Sequence, residues 1–171
     1  LSNAEQYNQA RALARQKREE LGIKTKDIKI HLLKKICKDE GIKVDLVENI
    51  GARIRAAYFF DDDGASILLK KGLPREPKLF ALTHELKHHF LDRNDIANGK
   101  MQCGDYNANK VTEIAAEEFA AEFIYPILEM QQLINSMKVS TGNCTPEQIV
   151  EIKRKIPVSV SYIFVRKRLE R

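Results

Sequence analysis

Apolar residues recur at helical spacing along most of the chain, and alternation is confined to one stretch in its first half. Residues 5–21 are strong helix formers without a breaker, and Gly22 follows them, which predicts a first helix. The same reasoning predicts a second helix at 28–38 with Asp27 as cap, a third at 78–91, and a fourth at 111–125 that continues to 137 after Pro126. Two further helices are predicted near the end of the chain, one capped by Thr145 and one capped by Ser159.

A small sheet is expected between the second and third of these helices. Residues 42–47 alternate, residues 53–60 are rich in β-forming and aromatic side chains, and residues 65–70 follow an Asp-Asp-Asp-Gly turn. This order predicts an antiparallel sheet with one hairpin. Because no EF-hand pattern follows the three aspartates, a solvated turn is favoured over a calcium site.

No internal repeat or flexible linker divides the chain, and its 171 residues suit one domain. We predict a compact α+β domain over residues 5–144 with a helical tail, residues 145–171, packed on it. Residues 1–4 look like a cloning remnant, which leaves the native amino terminus open. The polar stretch 92–110 is expected to be a loop, long enough to act as a lid.

The composition, 43% hydrophobic and 31% charged, is typical of globular proteins. The most apolar stretch, residues 119–133, is interrupted by Glu122, Pro126 and Glu129 and is too short to cross a bilayer. Three cysteines without CxxC spacing favour reduced thiols over disulfides or a structural zinc site. With no secretory leader visible, we predict a cytoplasmic protein without a membrane partner.

The net charge of +5 is unevenly distributed. Residues 111–130 contain five Glu and no Lys or Arg, whereas residues 152–171 contain seven basic residues and one Glu. The cluster Arg166, Lys167 and Arg168 could contact nucleic-acid phosphates, although a solvated basic face explains the same residues. A DNA- or protein-binding regulator without catalytic activity is therefore one hypothesis.

The segment most informative about chemistry is His84-Glu85-Leu86-Lys87-His88, an HExxH motif within a predicted helix. Residues four apart lie about 40° apart around a helix, so both imidazoles can bind one metal ion. Glu85 lies beside them and can act as general base toward a water activated by zinc. A solvent-exposed helix that carries charges and imidazoles is the alternative.

A catalytic zinc site needs a third protein ligand, and the helix at 111–125 offers several glutamates. Glu113 and Glu117 share a face, so one could bind the metal while the other accepts a hydrogen bond from a ligand imidazole. Glu118 and Glu122 are expected to face water. Small side chains would let this helix approach the HExxH helix closely; they are Ala115, Ala116, Ala120 and Ala121.

Other candidate residues are weaker. His89 is rotated by about 100° from His88 and is not expected to be a ligand. His31 has no partner at metal-binding spacing. Tyr106, in the loop before the glutamate helix, could stabilise an oxyanion, as could Tyr125, but core packing is the more common role of either tyrosine.

The HExxH motif together with the later segment EIAAEEFAAEFIYP, residues 113–126, resembles the ImmA/IrrE family of metallo-endopeptidases. The family pattern, E-x-x-A-(N/D/E)-x-F-A-A-x-L-L-x-P, implies that Glu113 is the third zinc ligand and Glu117 the acidic residue that supports a ligand imidazole. FIY at residues 123–125 departs from the usual aliphatic run, which concerns packing more than chemistry. The resemblance also implies a mostly helical, zincin-like α+β fold with a small sheet beside the HExxH helix.

The resemblance further implies an enzyme with one Zn²⁺ per chain, held by His84, His88 and Glu113, with Glu85 as the catalytic base. Members of the family cut a helix-turn-helix repressor at a specific site, so such a repressor is the expected protein partner. Two His and one Glu also suit Mn²⁺ or Fe²⁺, and zinc is the working choice.

Overall fold

A computed structural model describes residues 1–101 and 109–170 of the chain. The helices are α1 Asn3–Glu20, α2 Ile30–Asp39, α3 Arg75–Lys87, α4 Arg93–Ala97, α5 Lys110–Ile124, α6 Ile127–Met137, α7 Pro146–Lys155 and α8 Tyr162–Leu169. The strands are β1 Lys43–Val47, β2 Ala56–Asp61 and β3 Gly64–Lys70. A largely helical α+β fold with a small sheet is therefore confirmed.

The strand order is β1-β3-β2, with β3 in the middle. β2 and β3 form the predicted antiparallel hairpin, closed by the Asp-Asp-Asp-Gly turn, but β1 pairs with β3 in parallel. The prediction of a purely antiparallel sheet was thus wrong in one of its two pairings. Alternation shows which face of a strand is buried, whereas the direction of a neighbour depends on the path of residues 48–55.

Two predicted helix starts lie elsewhere in the structure. Asp27 belongs to a short 3₁₀ turn, and α2 begins at Ile30. Ser161, not Ser159, caps α8 through its side chain, which accepts a hydrogen bond from the Phe164 N–H. In contrast, Thr145 caps α7 as predicted, with Pro146 in the first turn.

The core forms where α3 packs against β2, β3, α2 and α5, and α5 also packs against α1. β3 alternates buried and half-buried residues, with Ala65, Ile67 and Leu69 buried. From α5, Phe119 and Phe123 are fully buried and stack with ring centroids 5.6 Å apart. α3 and α5 lie side by side in this core.

Glu118 and Glu122 of α5 are buried, so the expectation that they face water was wrong. Arg11 of α1 pairs with Glu118 at 2.7 Å. Glu122 pairs with Arg15 of α1 at 3.1 Å and with Arg168 of α8 at 2.8 Å. The apolar pattern of α5 alone could not reveal these pairs, because the arginines lie more than 40 residues away in the chain.

The stretch at 92–110, predicted to be a loop, is helical in part, as α4. Cys103 and Tyr106 of this stretch lie outside the described residues.

The two cysteines within the described residues are free. Cys37 is buried, which raises the pKa of its thiol to about 11, and Cys144 is half-buried. Among the described helices, none is long and apolar enough to cross a membrane. The division at residue 144 into a domain and a tail stays a prediction.

Candidate metal centre

The three predicted ligands come together between α3 and α5. His84 Nε2 lies 3.1 Å from Glu113 Oε2 and 3.3 Å from His88 Nε2, and His88 Nε2 lies 3.6 Å from Glu113 Oε1. One ligand atom from each of the three residues lies within 4.8 Å of the others. Two imidazole nitrogens and a carboxylate oxygen at this spacing form a cluster compatible with a metal site.

The pKa values of His84 and Glu113 are shifted by the charged groups around them. Burial opposes the charged form of His84, but the hydrogen bond to Glu113 and the charges of Glu85 and Glu113 raise its pKa. Burial opposes ionisation of Glu113, but the hydrogen bond from His84 and the charge of His88 lower the pKa of this carboxyl group. The cluster therefore favours a positive charge among its carboxylates, as a cation site requires.

Glu113 Oε1 in the cluster and Glu85 Oε2 beside it are buried and have no hydrogen-bond partner within the described part of the chain. A buried carboxylate oxygen without a partner is costly, and a cation bound to Glu113 would remove that cost for Glu113. Two His and one Glu are also the donor set of a common class of catalytic zinc sites. The residues present thus fit a bound divalent metal.

Glu85 lies on the buried side of α3, between the two histidines in sequence, and is 4% exposed. Burial raises the pKa of Glu85, while the nearby histidines and a hydrogen bond from the Tyr58 backbone lower it, and the net shift is upward. Because Tyr58 belongs to β2, the sheet holds this carboxylate in place. A carboxylate fixed beside a ligand pair, with one oxygen unpaired, can accept a proton.

Asp92 orients one ligand ring, a role that the sequence did not predict. His88 Nδ1 lies 2.7 Å from Asp92 Oδ2, which leaves Nε2 of the same ring directed to the cluster. α3 passes into a π-helical turn over His88–Asp92, a feature frequent at functional sites. The four-residue spacing from His88 to Asp92 would indicate this contact if residue 92 were predicted to be helical. The sequence analysis placed residue 92 in a loop.

The buried Lys87 supports Asp92. Its ammonium donates to Asp92 Oδ2 at 2.6 Å and to the Thr112 carbonyl at 3.2 Å, which links α3 to the start of α5. Burial alone would raise the pKa of Asp92, but the hydrogen bond from His88 and the charge of Lys87 lower it. Asp92 is thus held as an acceptor for the His88 ring.

Glu117, predicted to support a ligand imidazole, lies one helical turn beyond Glu113. Its ion-pair partner among the described residues is Lys167, at 3.8 Å, and its charge acts on His84 only through space. The hydrogen bond to the His88 ring is made by Asp92, because the helix continues past the motif as a π-helical turn. Support of a ligand imidazole by Glu117 stays a prediction.

The two histidines that were not expected to be ligands, and Tyr125, which was weighed as an oxyanion stabiliser, lie outside the cluster. His89 is turned away from it and contacts the Tyr58 hydroxyl through Nδ1 at 3.0 Å. His31 is exposed on α2. Tyr125 is buried, and its hydroxyl donates to the Glu129 carbonyl at 3.3 Å, so the expected core packing of Tyr125 is confirmed.

Comparison with known proteins bears on this cluster. A family model described as the IrrE N-terminal-like domain, Peptidase_M78, matches residues 37–170. The match contains all three clustered residues together with Glu85 and Asp92. No curated protein matches the chain. Since the family match covers well over half of the sequence, the chain belongs to the IrrE N-terminal-like domain family, a family of the metallopeptidase type.

Proposed function

We propose that the chain is a zinc-dependent endopeptidase that cuts a helix-turn-helix repressor at a specific site in the cytoplasm. The observation that carries the catalytic part is the cluster of His84, His88 and Glu113, with the buried Glu85 beside it. The repressor as substrate rests on the resemblance to the ImmA/IrrE family. Zinc is chosen because two His and one Glu match a common catalytic zinc set.

The roles of the side chains follow from their positions. His84, His88 and Glu113 would hold the ion, which supplies Lewis acidity to a water molecule and to the scissile carbonyl. Glu85 takes the proton of the attacking water and delivers it to the leaving amine. Asp92 keeps the His88 ring oriented, and Lys87 keeps Asp92 charged. Tyr106 remains a candidate for oxyanion stabilisation and lies outside the described residues.

The alternative, a regulator that binds DNA through its basic end, has less support. Each cation of the cluster at 166–168 has an acidic partner: Arg166 pairs with Glu170 at 3.7 Å, Lys167 with Glu117 at 3.8 Å and Arg168 with Glu122 at 2.8 Å. Arg168 is also buried, with 3% of its side chain exposed. These contacts compete with phosphate for the cations that motivated the hypothesis.

Cleavage can be tested before the substrate is identified. Zinc-loaded wild type and Glu85→Gln are each incubated with an extract of the source cell, and new protein amino termini are labelled and sequenced. We expect the wild type to create one or a few new amino termini, in helix-turn-helix regulators, and Glu85→Gln to create none. The absence of new termini would refute the peptidase, and cuts spread over unrelated proteins would refute site-specific repressor cleavage.

Asp92→Asn is expected to weaken zinc binding about 10- to 100-fold, because the amide is a weaker acceptor for the His88 ring and loses its charge contact with Lys87. Competition with a chelator of known zinc affinity measures the change. Asp95→Asn is the matched control, since Asp95 is exposed and pairs only loosely with Lys100, at 3.8 Å. Equal zinc affinities of the two variants would show that Asp92 does not support the metal site.

A further inference from the structure

A cavity of about 410 Å³ is lined mainly by residues of α3, α5 and α8 and of the segment just before α8. Its walls from the two helices that carry the metal cluster are Glu76, Pro77 and Phe80 of α3 and Glu117, Ala121 and Ile124 of α5. The volume falls within the range of about 300–1,000 Å³ that is typical of ligand pockets. The cavity is therefore large enough to accept part of a substrate.

The cavity lies one helical turn away from the metal cluster along both α3 and α5. Phe80 precedes His84 by four residues on α3, and Glu117 follows Glu113 by four residues on α5. Residues four apart share a helix face and are separated by about 6 Å along the axis. Since one extended residue spans about 3.3–3.6 Å, a substrate residue within about two positions of the scissile bond reaches the cavity.

The larger part of the cavity surface is apolar. Phe80 and Phe164 in its lining form an edge-to-face pair, with ring centroids 6.4 Å apart and an interplanar angle of 76°. Ile124 and Val160 are buried in its lining, whereas Ile163, also in the lining, is 62% exposed. Aromatic and branched aliphatic surfaces of this kind favour an apolar side chain by removing it from water.

Three of the five charged residues in the cavity lining take part in ion pairs, and the other two are Arg55 and Glu76. Lys167 of α8 pairs with Glu117 of α5 at 3.8 Å, and Arg168 pairs with Glu122 at 2.8 Å. Arg168 also donates to the Tyr125 carbonyl at 2.6 Å. These contacts fasten α8 to α5, so the outer wall of the cavity is formed before a substrate arrives.

We propose that this cavity is the specificity pocket of the peptidase and binds a large aliphatic or aromatic side chain of the substrate close to the scissile bond. In this arrangement α8 is the outer wall of the pocket, and Phe80 and Phe164 are its aromatic surface. The inference rests on the proposed function and assigns a substrate preference to it.

The preference can be measured with a mixture of peptides of random sequence, cleaved by the zinc-loaded full chain and analysed by mass spectrometry. We expect Leu, Ile, Met and Phe to be enriched at one position within two residues of the cut. Ile163→Lys places an ammonium group at the pocket and should lower kcat/KM for such peptides by at least about 10-fold. Leu128→Lys is the matched control, because Leu128 is also 62% exposed but lies outside the pocket lining.

A second readout does not require activity. In metal-free protein with labelled methyl groups, N-acetyl-leucinamide should shift the NMR signals of Ile124, Val160 and Ile163, and N-acetyl-aspartamide should not. Shifts in these residues without any peptide cleavage would refute the proposed function and leave the pocket as an apolar binding site. Cleavage without an apolar preference, or equal effects of Ile163→Lys and Leu128→Lys, would refute the cavity as a specificity pocket. Neither result would contradict the proposed peptidase activity.

Discussion

We expect Glu85→Gln to lower the rate of peptide cleavage by about 10²- to 10⁴-fold, the usual contribution of a positioned general base. Glutamine has nearly the same shape as glutamate, so it can keep the hydrogen bond from the Tyr58 backbone and the packing of α3. It cannot take a proton from water. Because Glu85 is not among the three clustered ligands, the variant should retain its metal.

The measurement is the rate of cleavage of one substrate at equal zinc content, with unfolding followed in parallel. Glu151→Gln makes the same chemical change on the exposed part of α7 and should cleave at the wild-type rate. If Glu85→Gln cleaved as fast as this control, Glu85 would have no role in proton transfer.

The second large effect concerns stability. Glu122→Ala is expected to lower the free energy of unfolding by about 3–5 kcal/mol, since it leaves the buried Arg168 guanidinium without its carboxylate partner. The Glu122 side chain is 0% exposed and that of Arg168 is 3% exposed, so water cannot replace the lost contact. Chemical denaturation monitored by circular dichroism measures the change.

Glu118→Ala provides the comparison. Glu118 is also buried on α5, but its partner Arg11 has 30% of its side chain exposed and can return to water. Its loss should therefore cost less than the loss of Glu122. Replacing both members of the buried pair, as Glu122→Leu with Arg168→Met, should recover much of the stability. A double variant no more stable than Glu122→Ala would contradict this explanation.

The same pair predicts a dependence of stability on pH. Burial opposes ionisation of Glu122, but hydrogen bonds from Arg168 and Arg15 lower the pKa of its carboxyl group below the ordinary value of 4.5. Its contribution is thus complete above pH 4.5 and is lost as pH falls through the lowered pKa. The pH dependence of unfolding below 4.5 should be weaker in the Leu/Met double variant than in the wild type.

The core of the candidate site was predictable because it depends on local spacing. His84 and His88 share a helix face by their four-residue separation, and α5 was identified as the source of the third ligand. Spacing alone left Glu113 and Glu117 equivalent; the packing of α5 against α3 brings Glu113 to the histidines at 3.1 Å and 3.6 Å.

The features that sequence reasoning missed depend on contacts between distant segments. The burial of Glu118 and Glu122 requires arginines from α1 and α8, and the parallel pairing of β1 depends on the path of the chain before β2. Asp92 was assigned to a loop because the π-helical turn after His88 has no clear mark in the apolar pattern. In each case the local sequence suits several partners, and only tertiary packing selects one.

The most direct test of the metal centre is the zinc content of the purified protein after dialysis against metal-free buffer, measured by elemental analysis. We predict about one zinc per chain in the wild type, none in Glu113→Ala, and wild-type content in Glu117→Ala, whose carboxylate pairs with Lys167. A wild type without stoichiometric zinc, even after zinc is added back, would contradict the metal centre and favour the regulator that binds without catalysis.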